Sequence, residues 1–342
     1  MSRRVSRGNN LGHSMEHADG PLVVDLRPSP EVGSIRCAGE RELSREVDGI
    51  QRMLSDRGDW NQRMSGLKRF QALILGSAHA PRFVPQALRL KDALTAQVQD
   101  LRSTIVREAC SVLFVLVHAL GSDFEPFALG ALSPLLKSTS VSIQVIAESG
   151  FLCARAIARE CQSSRVLGAL LEQLGSRNGT QRWRCSQIIC VALQTYPAAL
   201  LERHADASEA GIRQCLDDSS NEVRVCGRRC FWAFSEAFEE RGARLLARLD
   251  AAKQRLLEGE RAAAAEEASA EGGVEFSFTE AAEGAQALEE ASGRLEHSQT
   301  CEGRGGPSLH DGAAGGVAGG QRQPRAAGTG AGGTAPPPPL HR

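Results

Sequence analysis

Cysteines and histidines are the residues of this 342-residue chain best suited to covalent or metal chemistry. Most of the ten cysteines fall in apolar helical stretches, with no CxxC pair and no histidine at ligand spacing. We interpret them as buried thiols that act as small hydrophobic side chains in a reducing compartment. His118 and His204 have no nearby nucleophile or carboxylate partner and are interpreted as packing or surface residues.

A glycine-rich stretch at residues 175–179 could in principle cradle a phosphate. It lacks the G-x-x-x-x-G-K-S/T arrangement and follows no strand, so we interpret it as a turn between two helices. The sequence therefore predicts no catalytic residue, no cofactor and no metal site, and the protein is expected not to be an enzyme.

Binding chemistry is concentrated in the predicted turns. Trp60 opens a helix just after the Gly58 turn, where its indole is expected to be partly exposed, unless it folds back as a hydrophobic staple. Later turns contribute Arg177, Arg182 and Arg224. Aromatic and arginine side chains are enriched in protein interfaces, so turns that share one rim would form a binding surface for an acidic protein.

A repeat of about forty residues predicts how these turns are positioned. Equivalent second helices start near Val106, Val145, Trp183 and Val223, with spacings of 39, 38 and 40 residues. This period is typical of HEAT-like helical hairpins, which stack and align their turns along one edge. We therefore predict an all-α solenoid of five to six hairpins. The predicted helices that flank the turns are 43–55 and 60–77, 83–99 and 103–120, 125–137 and 141–161, and 164–174 and 180–195. A fifth pair begins at Pro197 and has its turn at 217–220, and a final element covers 243–257.

Composition divides the chain into three predicted parts. Residues 1–42 are expected to be poorly ordered, residues 43–257 to form the helical domain, and residues 258–342 to form a disordered tail that is acidic and then rich in Gly and Pro. The domain holds 28 Lys and Arg against 22 Asp and Glu, a net +6, whereas the tail holds 6 against 13, a net −7. The basic domain favours an acidic partner, although ordinary solvated helix faces would give the same excess. No targeting segment and no run of about 18 apolar residues is apparent, so a membrane partner is not expected.

Several motifs within residues 43–257 resemble the TOG domains of the CLASP group of microtubule-associated proteins. They are Asp59-Trp60 with Arg63, the stretch from Asp100 to Cys110, Glu148-Ser149-Gly150, and the stretch from Arg228 to Phe234. The resemblance implies that the turns inside the repeats bind tubulin, with the aromatic residue of the first turn facing β-tubulin and basic residues of later turns facing α-tubulin. The contact residues it implies are Trp60, Arg63, Ser103, Thr104, Ile105, Ser138, Ser140, Arg177, Arg182, Asn221 and Arg224.

Three turns depart from the family pattern. Asp217 and Asp218 in the fifth turn would weaken contact with acidic tubulin if they were exposed, and Lys137 is the only base near the third turn. Trp183 stands where the family more often has a smaller or basic residue.

The sequence thus predicts a cytoplasmic, cytoskeletal protein that binds tubulin or the microtubule lattice, at a spindle or cilium among other arrays. Other microtubule-associated proteins are possible further partners. The alternative is a HEAT-repeat adaptor that scaffolds other proteins through a helical face. A nucleic-acid binder is disfavoured by the scarcity of lysine and by the lack of interleaved aromatic and basic residues.

Overall fold

A computed structural model describes residues 22–267, with side chains to residue 259. This part of the chain is all-α and contains no strand, which confirms the predicted fold class. Its helices are α1 Glu40–Ser55, α2 Trp60–Ser77, α3 Phe83–Leu88, α4 Lys91–Gln97, α5 Ser103–Leu120, α6 Glu125–Ser138, α7 Gln144–Glu160, α8 Ser164–Gln173, α9 Gly179–Thr195, α10 Ala198–Leu201, α11 Ala205–Leu216, α12 Asn221–Ala237, α13 Glu239–Ala247 and α14 Ala251–Glu267.

Polar side chains fix where the second helix of several hairpins begins. Asp59 accepts a hydrogen bond from the Asn61 N–H at 2.8 Å before α2. Asn178 accepts one from the Gln181 N–H at 3.0 Å before α9, and Ser220 caps α12 in the same way. Such caps satisfy N–H groups that have no partner within the helix. The turns before α2, α9 and α12 are therefore held in defined conformations.

The second helices α2, α5, α7, α9 and α12 pack side by side in one layer, and the first helices of the hairpins pack against them. Large side chains such as Phe70, Phe127 and Phe231 are fully or almost fully buried between the layers. Gly150 lets α7 approach α6 closely, because a Cβ there would lie 2.0 Å from the Ser138 hydroxyl. The layers form one continuous apolar core.

Polar contacts tie each repeat to the next. Gln71 donates to Ser111 at 2.7 Å, and Gln214 donates to the Leu174 carbonyl at 2.8 Å. Both contacts join residues forty positions apart, which is the repeat length. Each of these hydrogen bonds therefore connects equivalent positions of neighbouring hairpins.

Residues 22–39, which we name the strap, correct the expectation that residues 1–42 are poorly ordered. The strap runs across α2 and α5: the Leu26 carbonyl accepts a hydrogen bond from Ser111 at 2.7 Å, and the Ile35 N–H donates to Ala72 at 2.9 Å. Gly76 permits this contact, since a Cβ there would lie 2.3 Å from the Ile35 carbonyl oxygen. Residues 1–21 lie outside the described part of the chain.

The C-terminal boundary also differs from the expectation. The single predicted element over 243–257 is two helices, α13 and α14, and α14 continues to Glu267. Leu257 is buried, and its carbonyl accepts a hydrogen bond from the Trp232 indole at 3.1 Å. The rest of the predicted tail, residues 268–342, lies outside the described residues.

The stretch Ser103–Ser138 is long and apolar enough to cross a membrane by length and composition alone, with a mean hydropathy of 1.6. It comprises α5, a short 3-10 turn and α6, and 61% of its most apolar part is buried in the core. Arg107, Glu108 and Asp123 interrupt it, so no unbroken run of about 18 apolar residues occurs within it, in line with the prediction. The burial is typical of core helices in a soluble domain.

Candidate binding edge

Five turns connect the first and second helices of successive hairpins: turn A (56–59), turn B (98–102), turn C (139–143), turn D (174–178) and turn E (217–220). We call these turns, with the first helical turn that follows each, the turn edge. Arg63 after turn A contacts Asp100 in turn B, and Arg182 after turn D contacts Asp218 in turn E. These contacts place neighbouring turns side by side, as the repeat predicted.

Exposed apolar side chains concentrate on one half of the turn edge. Of the seven large apolar side chains that are exposed among residues 22–259, four lie at turns A to C: Trp60, Leu101, Val141 and Ile143. Leu101 at turn B is 91% exposed, the most of any of them. Exposed apolar groups in a row on a folded surface indicate an interaction site. Sequence reasoning identified only Trp60. For Leu101, Val141 and Ile143, the signal in the sequence was a large aliphatic residue within a turn, where it does not continue the apolar periodicity of a helix.

Trp60 is the first residue of α2, and 39% of it is exposed. Asp59 caps the helix with its side chain, so the indole itself takes no part in the cap. The indole is therefore partly exposed and is not fully covered, in agreement with the expectation from the sequence. Trp60 presents its ring at the turn edge, as predicted.

Arg63 corrects one predicted contact residue. It is only 8% exposed, forms a buried ion pair with Asp100 and donates to Gln97 at 3.1 Å. Burial alone would raise the pKa of Asp100, but hydrogen bonds from Arg63 and the Arg102 N–H hold it below its usual value. Arg63 thus joins turns A and B from beneath and does not reach the surface.

Turns B and C bring some predicted residues to the surface and bury others. Ile105 is fully buried, and Ser138 is 8% exposed with its hydroxyl bonded to Leu135 at 2.7 Å, so both predicted contacts are corrected. Thr104 is exposed, whereas Ser103 and Ser140 are partly exposed. The available polar groups at these turns are therefore Ser103, Thr104 and Ser140.

The other half of the turn edge is polar. Arg177 in turn D is exposed and has no ion-pair partner among the described residues. Asn221 is exposed, and Arg224 is partly exposed, donating to the Asp218 and Ser219 carbonyls at 2.7 and 3.0 Å. Turns D and E therefore add basic and amide groups next to the apolar half.

Arg182 is the fourth corrected residue. Its side chain is 14% exposed and makes two hydrogen bonds to Asp218, at 2.6 and 2.8 Å. The Arg182 hydrogen bonds lower the pKa of Asp218 despite its burial. Arg182 links turns D and E structurally, and its charge is not free for a partner.

The two acidic residues of turn E are both neutralised inside the chain. Asp218 is paired with Arg182, and Asp217 contacts Lys253 of α14 at 2.5 Å. The expected repulsion of an acidic partner is therefore largely offset.

Trp183, another departure from the family pattern, lies beside Arg184. The Arg184 guanidinium lies over the Trp183 and Phe151 rings, at 4.6 and 4.2 Å from their centroids. Trp183 is thus part of a stacked contact between α7 and α9.

An open cleft of about 680 Å³ lies between turns A and B. Its lining includes Arg57, Leu101 and Arg102 at the mouth and the Arg63–Asp100 pair below. Among the described residues, no group of His, Cys, Asp or Glu is arranged to hold a metal ion. The turn edge can bind a partner surface through apolar contact, hydrogen bonds and charge pairing.

The CLASP N terminal family matches residues 45–258. The chain is 34% identical over 240 residues to "CLIP-associated protein" of Arabidopsis thaliana and 30% identical over 250 residues to "CLIP-associating protein 1" of Xenopus tropicalis. These alignments cover 69% and 72% of this chain, which spans 17% of the length of each relative.

Solved structures share the fold. One is described as "Structural Basis of Microtubule Plus End Tracking by XMAP215, CLIP-170 and EB1": the TM-score is 0.52 at 17% identity, covering 67% of this chain and 94% of that one. Another concerns tubulin recruitment by microtubule polymerases with TOG domain arrays: the TM-score is 0.52 at 20% identity, covering 62% of this chain and 44% of that one. From the family match, the curated relatives and this shared fold, the chain belongs to the CLASP N terminal family, and its helical repeats form a CLASP-like TOG domain.

Proposed function

We propose that this chain is a non-enzymatic protein that binds tubulin or microtubules through the turn edge and so modulates microtubule dynamics or stability. The separation of apolar and basic side chains along the turn edge carries this proposal. Four exposed apolar side chains occupy turns A to C, and the unpaired Arg177 lies in turn D. An apolar anchor beside basic groups suits a partner surface that is acidic around an apolar patch.

The family supports the same reading. The relatives are named for association with CLIP proteins, and one structure of the same fold concerns tubulin recruitment. We therefore propose that the protein acts at the cytoskeleton in the cytoplasm. Spindle and ciliary arrays, and other microtubule-associated proteins as partners, are part of the proposal. Neither nucleic acid nor membrane is proposed as a partner.

The proposed contact set revises the predicted one. It keeps the predicted residues that reach the surface and adds the apolar residues at turns B and C. The set is Trp60, Leu101, Ser103, Thr104, Ser140, Val141, Ile143, Arg177, Asn221 and Arg224. Arg63, Ile105, Ser138 and Arg182 hold these residues in place from below. The folded unit is proposed to need the strap and α14 in addition to residues 43–257.

Pelleting of the full chain with polymerised microtubules, together with gel filtration with unpolymerised tubulin, tests the proposal. Trp60→Ala combined with Ile143→Ala should weaken binding while melting stays nearly unchanged, because both side chains are partly exposed. A single TOG domain offers no avidity by itself, so the affinity measured for these residues should be modest unless they self-associate.

A matched pair of charge reversals separates the turn edge from the helical face of the adaptor alternative. Arg177→Glu changes turn D, whereas Arg155→Glu makes the same charge change on α7, three helical turns from turn C. Loss with Arg177→Glu alone supports the turn edge. Loss of binding with Arg155→Glu alone would instead support the adaptor alternative. If the chain binds neither microtubules nor unpolymerised tubulin, its partner is another protein.

A further inference from the structure

The cleft between turns A and B is lined by basic groups that the proposed contact set leaves unused. It has a volume of about 680 Å³ and opens between the end of α1, α4 and turn B. Three arginines line it, Arg57, Arg63 and Arg102, against one acid, Asp100. The lining therefore carries a net charge of +2. A concave surface of this charge favours an anionic group.

The one acid of the cleft is already neutralised within the chain. One Asp100 oxygen accepts a hydrogen bond from Arg63 Nη1, and the other accepts one from the Arg102 N–H at 2.8 Å. The Arg102 guanidinium lies 3.9 Å from that second oxygen, beyond hydrogen-bond distance. Arg57 is exposed and has no ion pair among the described residues. The guanidinium groups of Arg57 and Arg102 are therefore available at the mouth of the cleft.

Arg63, which lines the cleft and is only 8% exposed, uses only part of its guanidinium. Its Nη1 donates to Gln97 at 3.1 Å and to Asp100. The buried Nε has no hydrogen-bond partner, and no described residue accepts from Nη2. Nε and Nη2 form one edge of the guanidinium, and the N–H groups of such an edge match the two oxygens of a carboxylate. Because a buried donor without a partner is costly, a ligand that supplies an acceptor to this edge is favoured.

We propose that the cleft between turns A and B binds an acidic side chain of the partner, which belongs to tubulin if the proposed function holds. The carboxylate passes between Arg57 and Arg102 and accepts hydrogen bonds from the Nε–Nη2 edge of Arg63. Leu101, 91% exposed at the mouth, packs on the segment that carries this carboxylate. The cleft therefore selects an Asp or Glu that has an apolar neighbour.

The acidic tail of this chain offers the same chemistry from a less suitable position. The tail begins within α14, which packs on α12 of the fifth hairpin. Turns A and B belong to the first two hairpins, at the opposite end of the stack. The position of the cleft therefore favours a separate partner over the tail.

Fluorescence anisotropy of a labelled octaglutamate peptide, titrated with the full chain at low salt, tests the cleft without tubulin. Octaglutamine is the neutral control peptide and should not bind. Arg57→Ser combined with Arg102→Ser should raise the dissociation constant for octaglutamate about tenfold, because both charges at the mouth are lost. Arg203→Ser combined with Arg244→Ser removes two exposed arginines outside the cleft and should leave the dissociation constant unchanged.

Arg63→Lys separates the fork of hydrogen bonds from general charge attraction. Lysine keeps the positive charge beside Asp100 but lacks the Nε–Nη2 edge. Octaglutamate binding should weaken about fivefold, although the net charge of the chain is unchanged. Thermal melting checks that the variant folds. If it does not, the variants of Arg57 and Arg102, whose side chains are exposed, decide the result.

Three results of the peptide titration would overturn the site. They are no binding of octaglutamate by the full chain, equal binding by the wild type and the Arg57 and Arg102 variant, and equal losses in the two double variants. If tubulin binds the wild type and the Arg57 and Arg102 variant equally well, tubulin does not fill the cleft, and the assignment to this partner is refuted. If octaglutamate binds at the cleft but neither microtubules nor unpolymerised tubulin bind the chain, the acidic-peptide site stands and the proposed function fails.

Discussion

Leu101→Ala offers the sharpest test of the apolar half of the turn edge. Because Leu101 is 91% exposed, almost nothing in the isolated chain packs on it, and the free energy of unfolding should change by less than about 0.5 kcal/mol. Full burial of a leucine side chain against a partner is worth about 1.5–3 kcal/mol, and alanine keeps a minor part of this. A loss of about 1–2 kcal/mol on binding corresponds to a dissociation constant about 5–30 times larger.

The assay is microtubule pelleting with a concentration series, alongside urea denaturation of the same proteins. Leu256→Ala is the matched control, because Leu256 is also exposed, at 54%, but lies on α14 away from turns A to C. It should leave binding unchanged. An effect of less than twofold for Leu101→Ala, or an equal loss for Leu256→Ala, would refute the assignment of Leu101 to the contact surface.

Four further outcomes follow from charged residues at the turn edge and in the core. Arg177→Glu should weaken binding most at low salt, because charges at an exposed edge act over about 8–10 Å; pelleting across a salt series checks this. Arg182→Ala should lower the free energy of unfolding by about 3 kcal/mol, since Asp218, with a side chain 6% exposed, loses its partner; a loss below about 1 kcal/mol in urea would contradict this. Because the pKa of Asp218 is lowered in the folded chain, the ionised carboxylate stabilises the fold above its unfolded pKa of about 3.8. This stabilisation is lost as pH falls through the folded pKa. Asp218→Asn should therefore flatten the loss of stability that melting experiments record in acid. Burial raises the pKa of Glu108, so its charged form destabilises the fold as pH rises above 4.5. Glu108→Gln should therefore raise the melting temperature at neutral pH. An equal rise in melting temperature at pH 3, where Glu108 is protonated, would show that the buried charge is not the reason.

Local patterns were enough to predict the hairpins and most of their boundaries. Helical periodicity and polar caps are properties of neighbouring residues, so α2 begins at Trp60 and α5 at Ser103, as predicted. The strap was missed because its apolar residues are few and lie near Pro28 and Pro30. Its burial depends on Gly76 of α2, which local pattern does not connect to it.

Arginine exposure at the turn edge depended on residues a full repeat away. Arg63 and Arg177 both look like free cations in the sequence. Arg63 is buried because Asp100, 37 residues later, meets it once the hairpins stack. Arg177 has no such acid among the described residues. The order of the turns could be predicted from the period, but the pairing across turns could not.

The polar ties between repeats have a mechanical consequence. Most of these hydrogen bonds join residues about one repeat apart, as in Gln71–Ser111 and Gln214–Leu174. Each such bond therefore resists the sliding of one hairpin past the next. Under tension along the solenoid, such nearest-neighbour links should fail one junction at a time, while intact junctions keep their spacing. A domain held on a filament that grows and shortens could then yield locally under load and still present the remaining turns in register.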